Sequence, residues 1–141
     1  MTTVITLHAA EQGASIARAV AARLPGPSVM LPFAALHGEW IAEPLGGERD
    51  APVASQQLKL LTAGYVKAGY HVVVHGEALH ATGAGDDLLR LIRMVPSVRA
   101  LSVGVGANAA DVDLALPAGG TAESVAAAVA AALAERPAPD G

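Results

Sequence analysis

Apolar residues along this chain follow two rhythms, short continuous runs and stripes that recur every three or four positions. Residues 4–7 (Val-Ile-Thr-Leu) are a run that opens on β-branched side chains, as expected for a strand covered on both faces. After an eight-residue loop, Ile16, Val20 and Leu24 recur at four-residue spacing while Arg18 and Arg23 fall off the stripe, which predicts an amphipathic helix laid on a sheet. Pro25-Gly26-Pro27 ends it, and residues 28–31 read as a second strand halted at Pro32. Residues 34–41 suit a helical turn or two, and 43–50 an exposed, flexible loop. From Pro52 to Ala68 the pattern is helical, with Val53, Leu58, Leu61, Tyr65 and Val66 on the apolar side and Gly69 as the residue that terminates it. Residues 70–74 form a Val-rich strand, followed by a turn at 75–77 and a glycine-bearing loop at 82–86.

The second half repeats the alternation. Residues 86–94 predict a helix through Leu88, Leu89, Leu91 and Ile92, stopped by Pro96. Residues 98–105 predict a fourth strand and 112–116 a fifth, joined by the Gly- and Ala-rich stretch 104–110. Thr121 is placed to cap a last helix, with Glu123 in its first turn and Val125, Val129 and Leu133 as its seam. The order βαβα(α)βαββα implies an α/β fold with a five-stranded, mainly parallel sheet and helices on both faces. Ligands of such sheets sit at the carboxyl ends of the strands, where the winding reverses. That crevice would be lined by residues 8–15, those after Leu31, 75–80 and 104–108. Residues 1–136 are expected to form one domain, with 137–141 a flexible tail.

Composition narrows the partners. Apolar content of 52% with 16% charged residues argues for a folded core. A net charge of −4 and only four aromatics (Phe33, Trp40, Tyr65, Tyr70) disfavour a nucleic-acid partner. With no cysteine, neither a disulfide framework nor a thiolate metal site can form. No signal peptide or membrane-length apolar run is evident, so a cytoplasmic protein without a membrane partner is the expectation.

Candidate chemistry gathers where the first strand meets the first helix. The pattern of a phosphate-binding loop is G-x-x-x-x-G-K-[ST], and residues 8–15 read H-A-A-E-Q-G-A-S. Gly13 and Ser15 match; His8 replaces the first glycine and Ala14 the lysine. Backbone N–H groups at 13–15 would leave a residual anion nest without the charge that bridges outer phosphates.

The surrounding segments extend the match. The helix Ser15-Ile16-Ala17-Arg18-Ala19-Val20-Ala21-Ala22-Arg23-Leu24, the stretch Gly69-Tyr70-His71-Val72-Val73-Val74-His75-Gly76 and the closing unit from Asp113 to Leu133 resemble the small P-loop kinases that phosphorylate nucleotides and antibiotics. The resemblance implies a three-layer P-loop NTPase-like domain. It also marks departures. Ala14 stands for the lysine, residues 31–35 hold no acid where the family often has an aspartate, His75 stands at the acidic position after the third strand, and 106–111 lack the lid arginine. Together they imply a degenerate member without ordinary phosphotransfer, a ligand-binding or regulatory module with no resident cofactor and at most weak nucleotide or anion binding at Gly13, Ala14 and Ser15.

Other readings remain open at this stage. His8, Glu11, His75 and Glu77, with His80 nearby, could form an acid–base or metal set, although no metal-ligand spacing is present and polar loop residues explain them as well. Ser15 suits either a metal-bound hydroxyl or a helix cap, and Asp86-Asp87 either a cation or the helix dipole. His37 and His71 read as surface residues. Trp40, with Phe33 and Ile41, reads as a small satellite core or a ligand contact. The Ala-rich helices are candidates for homo-oligomer packing; a small-molecule or protein partner stays unidentified.

Overall fold

A computed structural model of the chain describes residues 2–9, 12–36, 47–76, 79, 82–106 and 112–135. Five strands, β1 (Thr2–His8), β2 (Ser28–Pro32), β3 (His71–His75), β4 (Val98–Val105) and β5 (Leu114–Leu116), make one sheet in the order β2-β3-β1-β4-β5. Every pairing in it is parallel. Helices α1 (Gly13–Ala22) and α4 (Ala122–Glu135) cover one face, and α2 (Gly47–Lys67) and α3 (Ala84–Ile92) the other. The faces follow from handedness. The β1-to-β2 crossover travels one way along the sheet, and the β2-to-β3 and β3-to-β4 crossovers travel back. Right-handed connections therefore place α1 opposite α2 and α3. The direction reverses between β1 and β3, which fixes the crevice at their carboxyl ends.

Alternation along β1 feeds both cores. Val4 joins the layer under α2 and α3, with Val72, Val74 and Leu88, while Ile5 and Leu7 join the layer under α1 and α4, with Ile16, Val20, Val125 and Val129. The expected seams of α1 and α4 are therefore the buried ones. Thr121 caps α4 as expected: its Oγ1 accepts the Ser124 N–H at 3.0 Å. Gly69, at φ +91°, terminates α2. Tyr70 N–H donates to Tyr65 O and Gly69 N–H to Val66 O, and the Tyr65 and Tyr70 rings meet edge-on at 5.8 Å. This is a Schellman ending with its apolar contact.

Several boundaries differ from the sequence reading. Helix α2 begins at Gly47, not Pro52, so the end of the expected loop 43–50 is helical and Asp50 is buried. Proline at a first helical position is a strong start signal, but here Pro52 lies in the second turn. Val53 is exposed at 56%, because the buried stripe runs through Ala54, Leu58 and Thr62. Helix α1 starts at Gly13 with Gln12 as its N-cap in the left-handed region, φ 57°. Ser15 is thus the third helical residue, exposed, and caps nothing. Helix α3 begins at Ala84, behind Gly83 at φ 73°, so half of the expected loop 82–86 is its first turn.

His71 is the clearest correction. It is buried, not a surface residue: its Nδ1 accepts the Thr3 N–H at 3.0 Å, and Nε2 lies 2.8 Å from Pro25 O. With Nδ1 accepting, the proton sits on Nε2 and is donated to that carbonyl. One ring thereby ties β1 and β3 to the loop after α1. Strand β5 is shorter than expected because Asp113 leaves the ladder. Its Oδ2 accepts the Ser102 N–H at 2.9 Å, and its own N–H donates to Ser102 Oγ at 2.8 Å. Arg93 joins the same carboxylate at 3.1 Å. Among the described residues, no helix is long and apolar enough to cross a membrane.

Candidate functional site

The crevice is built from β1 running into α1 on one side and the end of β3 on the other. Ile16 N–H donates to Gln12 O at 2.9 Å, the first bond of α1. The N–H groups of Gly13, Ala14 and Ser15 precede that bond, and the first turn of a helix leaves such donors without intrahelical partners. They form the electropositive end of α1. Ala14 and Ser15 are exposed there. Gly13 approaches β3 closely, since a Cβ on it would stand 3.7 Å from His75 Nδ1. His75 thus lies beside the first turn of α1, on the face of the sheet that α1 covers. It is half-buried, and burial lowers its pKa below the usual imidazole value, which favours the neutral ring at neutral pH.

His8 leaves the same edge of the sheet in the other direction. It follows Val4 and Thr6 onto the face covered by α2 and α3, and it is 2% exposed. Its ring lies against α3, where a Cβ on Gly85 would stand 2.8 Å from His8 Cε1 and 3.4 Å from Nε2. The register explains the divergence: Leu7, not His8, pairs with His75. Adjacent strand ends therefore bring the two histidines to one edge without joining their side chains. Glu11, Glu77 and His80 lie outside the described residues, as do His37, Trp40 and Ile41.

The remaining candidates fall into structural roles. Asp86 and Asp87 occupy the first turn of α3, and Asp87 also faces Arg90 at 3.5 Å, so the dipole reading of this pair accounts for them. Among the described residues there is no group of three His, Asp or Glu side chains able to hold a metal ion. Gly106, at φ +68°, approaches Ala118, where a Cβ would meet another at 3.1 Å; residues 107 and 108 of the expected crevice lining lie outside the described residues. Beside the first turn of α1 runs an open groove of about 420 Å³, lined by Ala14, Ser15, Arg18, Ala122 and Glu123 among others. Its two charged side chains have opposite signs.

Sequence reasoning missed the buried Asp50 and the clamp role of His71. Asp50 sits one turn before Ala54 on the core-facing stripe of α2, but Pro52 hid the helix that carries it. Nothing local marked His71, since its partners lie 68 and 46 residues away.

No family model and no curated protein matches this sequence. Among solved structures, the chain is similar to a cysteine-to-alanine mutant of the APS kinase CysC of Mycobacterium tuberculosis. The superposition has a TM-score of 0.69 at 17% identity and covers 95% of this chain and 97% of that one. Together with the all-parallel five-stranded sheet and the four helices among the described residues, this establishes a P-loop kinase-like α/β fold.

Proposed function

We propose that this protein is a kinase-fold relative that does not transfer phosphoryl groups and serves as a ligand-binding or regulatory module, with no resident cofactor. The observation that carries the reading is Ala14, an exposed methyl group on the first turn of α1 at the position where the motif calls for lysine. Phosphoryl transfer depends almost wholly on positioning and on fixed positive charge. Removing a single preorganised donor of that kind costs an enzyme about 10²–10³ in rate. His75 adds to the loss, because a neutral imidazole at the end of β3 does not offer magnesium the carboxylate that the resemblance leads one to expect there. What stays is the set of N–H groups at Gly13, Ala14 and Ser15, suited to weak anion or nucleotide binding.

Titration calorimetry of the full chain with ATP and GTP in the presence of magnesium, beside a coupled assay for released nucleoside diphosphate, tests the reading. Binding no tighter than the high-micromolar range and no turnover with any acceptor is expected. Sub-micromolar binding accompanied by turnover overturns it.

His75 favours one alternative, an acid–base enzyme. Its lowered pKa and its place beside the α1 N-terminus suit a neutral base acting on a bound anion, with Glu11 and Glu77 as nearby carboxylates in sequence. In that case His8, on the other face of the sheet, acts apart from His75, and His75→Gln abolishes a hydrolytic or isomerising activity that His8→Ala only weakens. Metal analysis of the purified protein accompanies the comparison, and a stoichiometric metal restores the joint His8–His75 set. Homo-oligomerisation through the Ala-rich helices is a further proposal, read by light scattering.

A further inference from the structure

A second cavity opens at the amino ends of the strands, far from His75, where the last turn of α1 meets the last turns of α4. It measures about 200 Å³. Val20 and Leu24 form one wall, Val129 and Leu133 the other, and Ala126 and Ala130 leave the space between them because their side chains stop at Cβ. Among the described residues, two cations line this apolar trough, Arg23 and Arg99, and no acidic side chain does. Arg23 reaches Glu123 at 3.4 Å through an exposed contact. Arg99 is different. It stands second in β4, opposite Thr3, and its guanidinium lies half-buried on the face covered by α1 and α4. Its Nη1 donates to Leu133 O at 3.0 Å, and among the described residues it forms no ion pair.

The charge balance at Arg99 is incomplete. The carbonyl end of a helix carries about half a negative charge, whereas the guanidinium carries a full positive one. The last turn of α4 has no basic residue of its own, so Arg99 satisfies it and retains an excess. Arg99 Nε is buried without a hydrogen-bond partner. With Nη1 committed to Leu133 and Nε closed off from solvent, Nη2 is the donor left for a carboxylate. We propose that this cavity binds a small monocarboxylic acid with an apolar body, its carboxylate on Nη2 of Arg99 and its chain between α1 and α4. The volume lies below the roughly 300–1,000 Å³ of pockets for larger ligands, which limits the occupant to a short acid. A single net positive charge in an apolar trough matches a monoanion with a hydrophobic tail better than a strongly hydrated dianion.

Calorimetry of the full-length protein with hexanoate, hexanol and inorganic phosphate as probes tests this. Saturable binding of hexanoate is expected, with hexanol and phosphate each at least about tenfold weaker, the value of one charge-assisted hydrogen bond. Arg99→Gln, which keeps a donor for Leu133 O, weakens hexanoate by a similar factor. Ala130→Leu fills the trough and abolishes binding while the unfolding midpoint is kept or raised, which separates lost binding from lost folding. Absence of saturable hexanoate binding, hexanol or phosphate binding as tightly as hexanoate, or hexanoate binding unchanged in Arg99→Gln overturns the proposal.

Discussion

Replacing Gly85 with alanine probes the contact that holds His8 away from the crevice. Gly85 is the second residue of α3, and elsewhere a glycine-to-alanine change inside a helix stabilises by about 0.5–1 kcal/mol. Here the added Cβ would stand 2.8 Å from His8 Cε1, 3.4 Å from Nε2 and 3.6 Å from Leu79 Cβ. The ring is the far end of a side chain, yet at 2% exposure it has little room to retreat. Overpacking of this kind typically costs about 1–3 kcal/mol, so the net effect of Gly85→Ala is a loss of about 0.5–2 kcal/mol. In a His8→Ala background the obstacle is gone and the same change becomes stabilising by about 0.5–1 kcal/mol. Urea unfolding of the wild type, the two single variants and the double variant closes the cycle, with equal m-values as the check on two-state behaviour. A coupling of about 1–3 kcal/mol is expected. If Gly85→Ala has the same effect in both backgrounds to within about 0.5 kcal/mol, the ring is not packed against α3 and the placement of His8 fails.

Three further outcomes are expected. His71→Ala leaves the Thr3 N–H and Pro25 O without their partner and lowers stability by about 2–4 kcal/mol, read by urea unfolding; a loss below about 0.5 kcal/mol removes the clamp. Thr121→Ala removes an exposed cap from α4 and lowers stability by about 0.5–1 kcal/mol, which thermal unfolding resolves. His75 ties stability to pH: because its folded pKa lies below the unfolded 6.5, the unfolded chain binds more protons between those two values. Its contribution is therefore intact above 6.5 and lost progressively as pH falls toward the lowered value, and His75→Gln flattens that part of the stability profile. An unchanged profile in the variant refutes the burial argument.

The sheet was legible because its signals are local. The run at residues 4–7 and the Val-rich run ending at Val74 each announce a buried strand, and the Ile16–Val20–Leu24 stripe announces the helix between such strands. Alternation of strands and helices then forces parallel pairing, and handedness forces the faces. What stayed hidden depended on register or on distant partners. His8 and His75 each follow an apolar run by one residue, so the sequence places both at strand ends. Which face each side chain takes turns on whether His8 or Leu7 lies opposite His75, and a shift of one residue reverses the answer. His71 met the same difficulty in another form, since Thr3 and Pro25 come to it only when the sheet has assembled.

Apart from Ala9, the fold does not rest on the described part of the loop between β1 and α1. The two cores rest on Ile5, Leu7, Val72, Val73 and Val103, all within strands, and on helix seams that begin at Ile16 in α1 and Ala84 in α3. Among the described residues of the 8–15 loop, only His8 and Ala9 are buried, as extensions of β1. A phosphate loop with glycine at its first position leaves room for a backbone curl around a ligand; a histidine there supplies a side chain large enough to fill space under α3. Gly85 is the complementary feature, because α3 can descend over that ring only where it carries no Cβ. The packing of His8 against Gly85 thus joins the end of β1 to α3, so that the histidine at position 8 has a structural use in this chain.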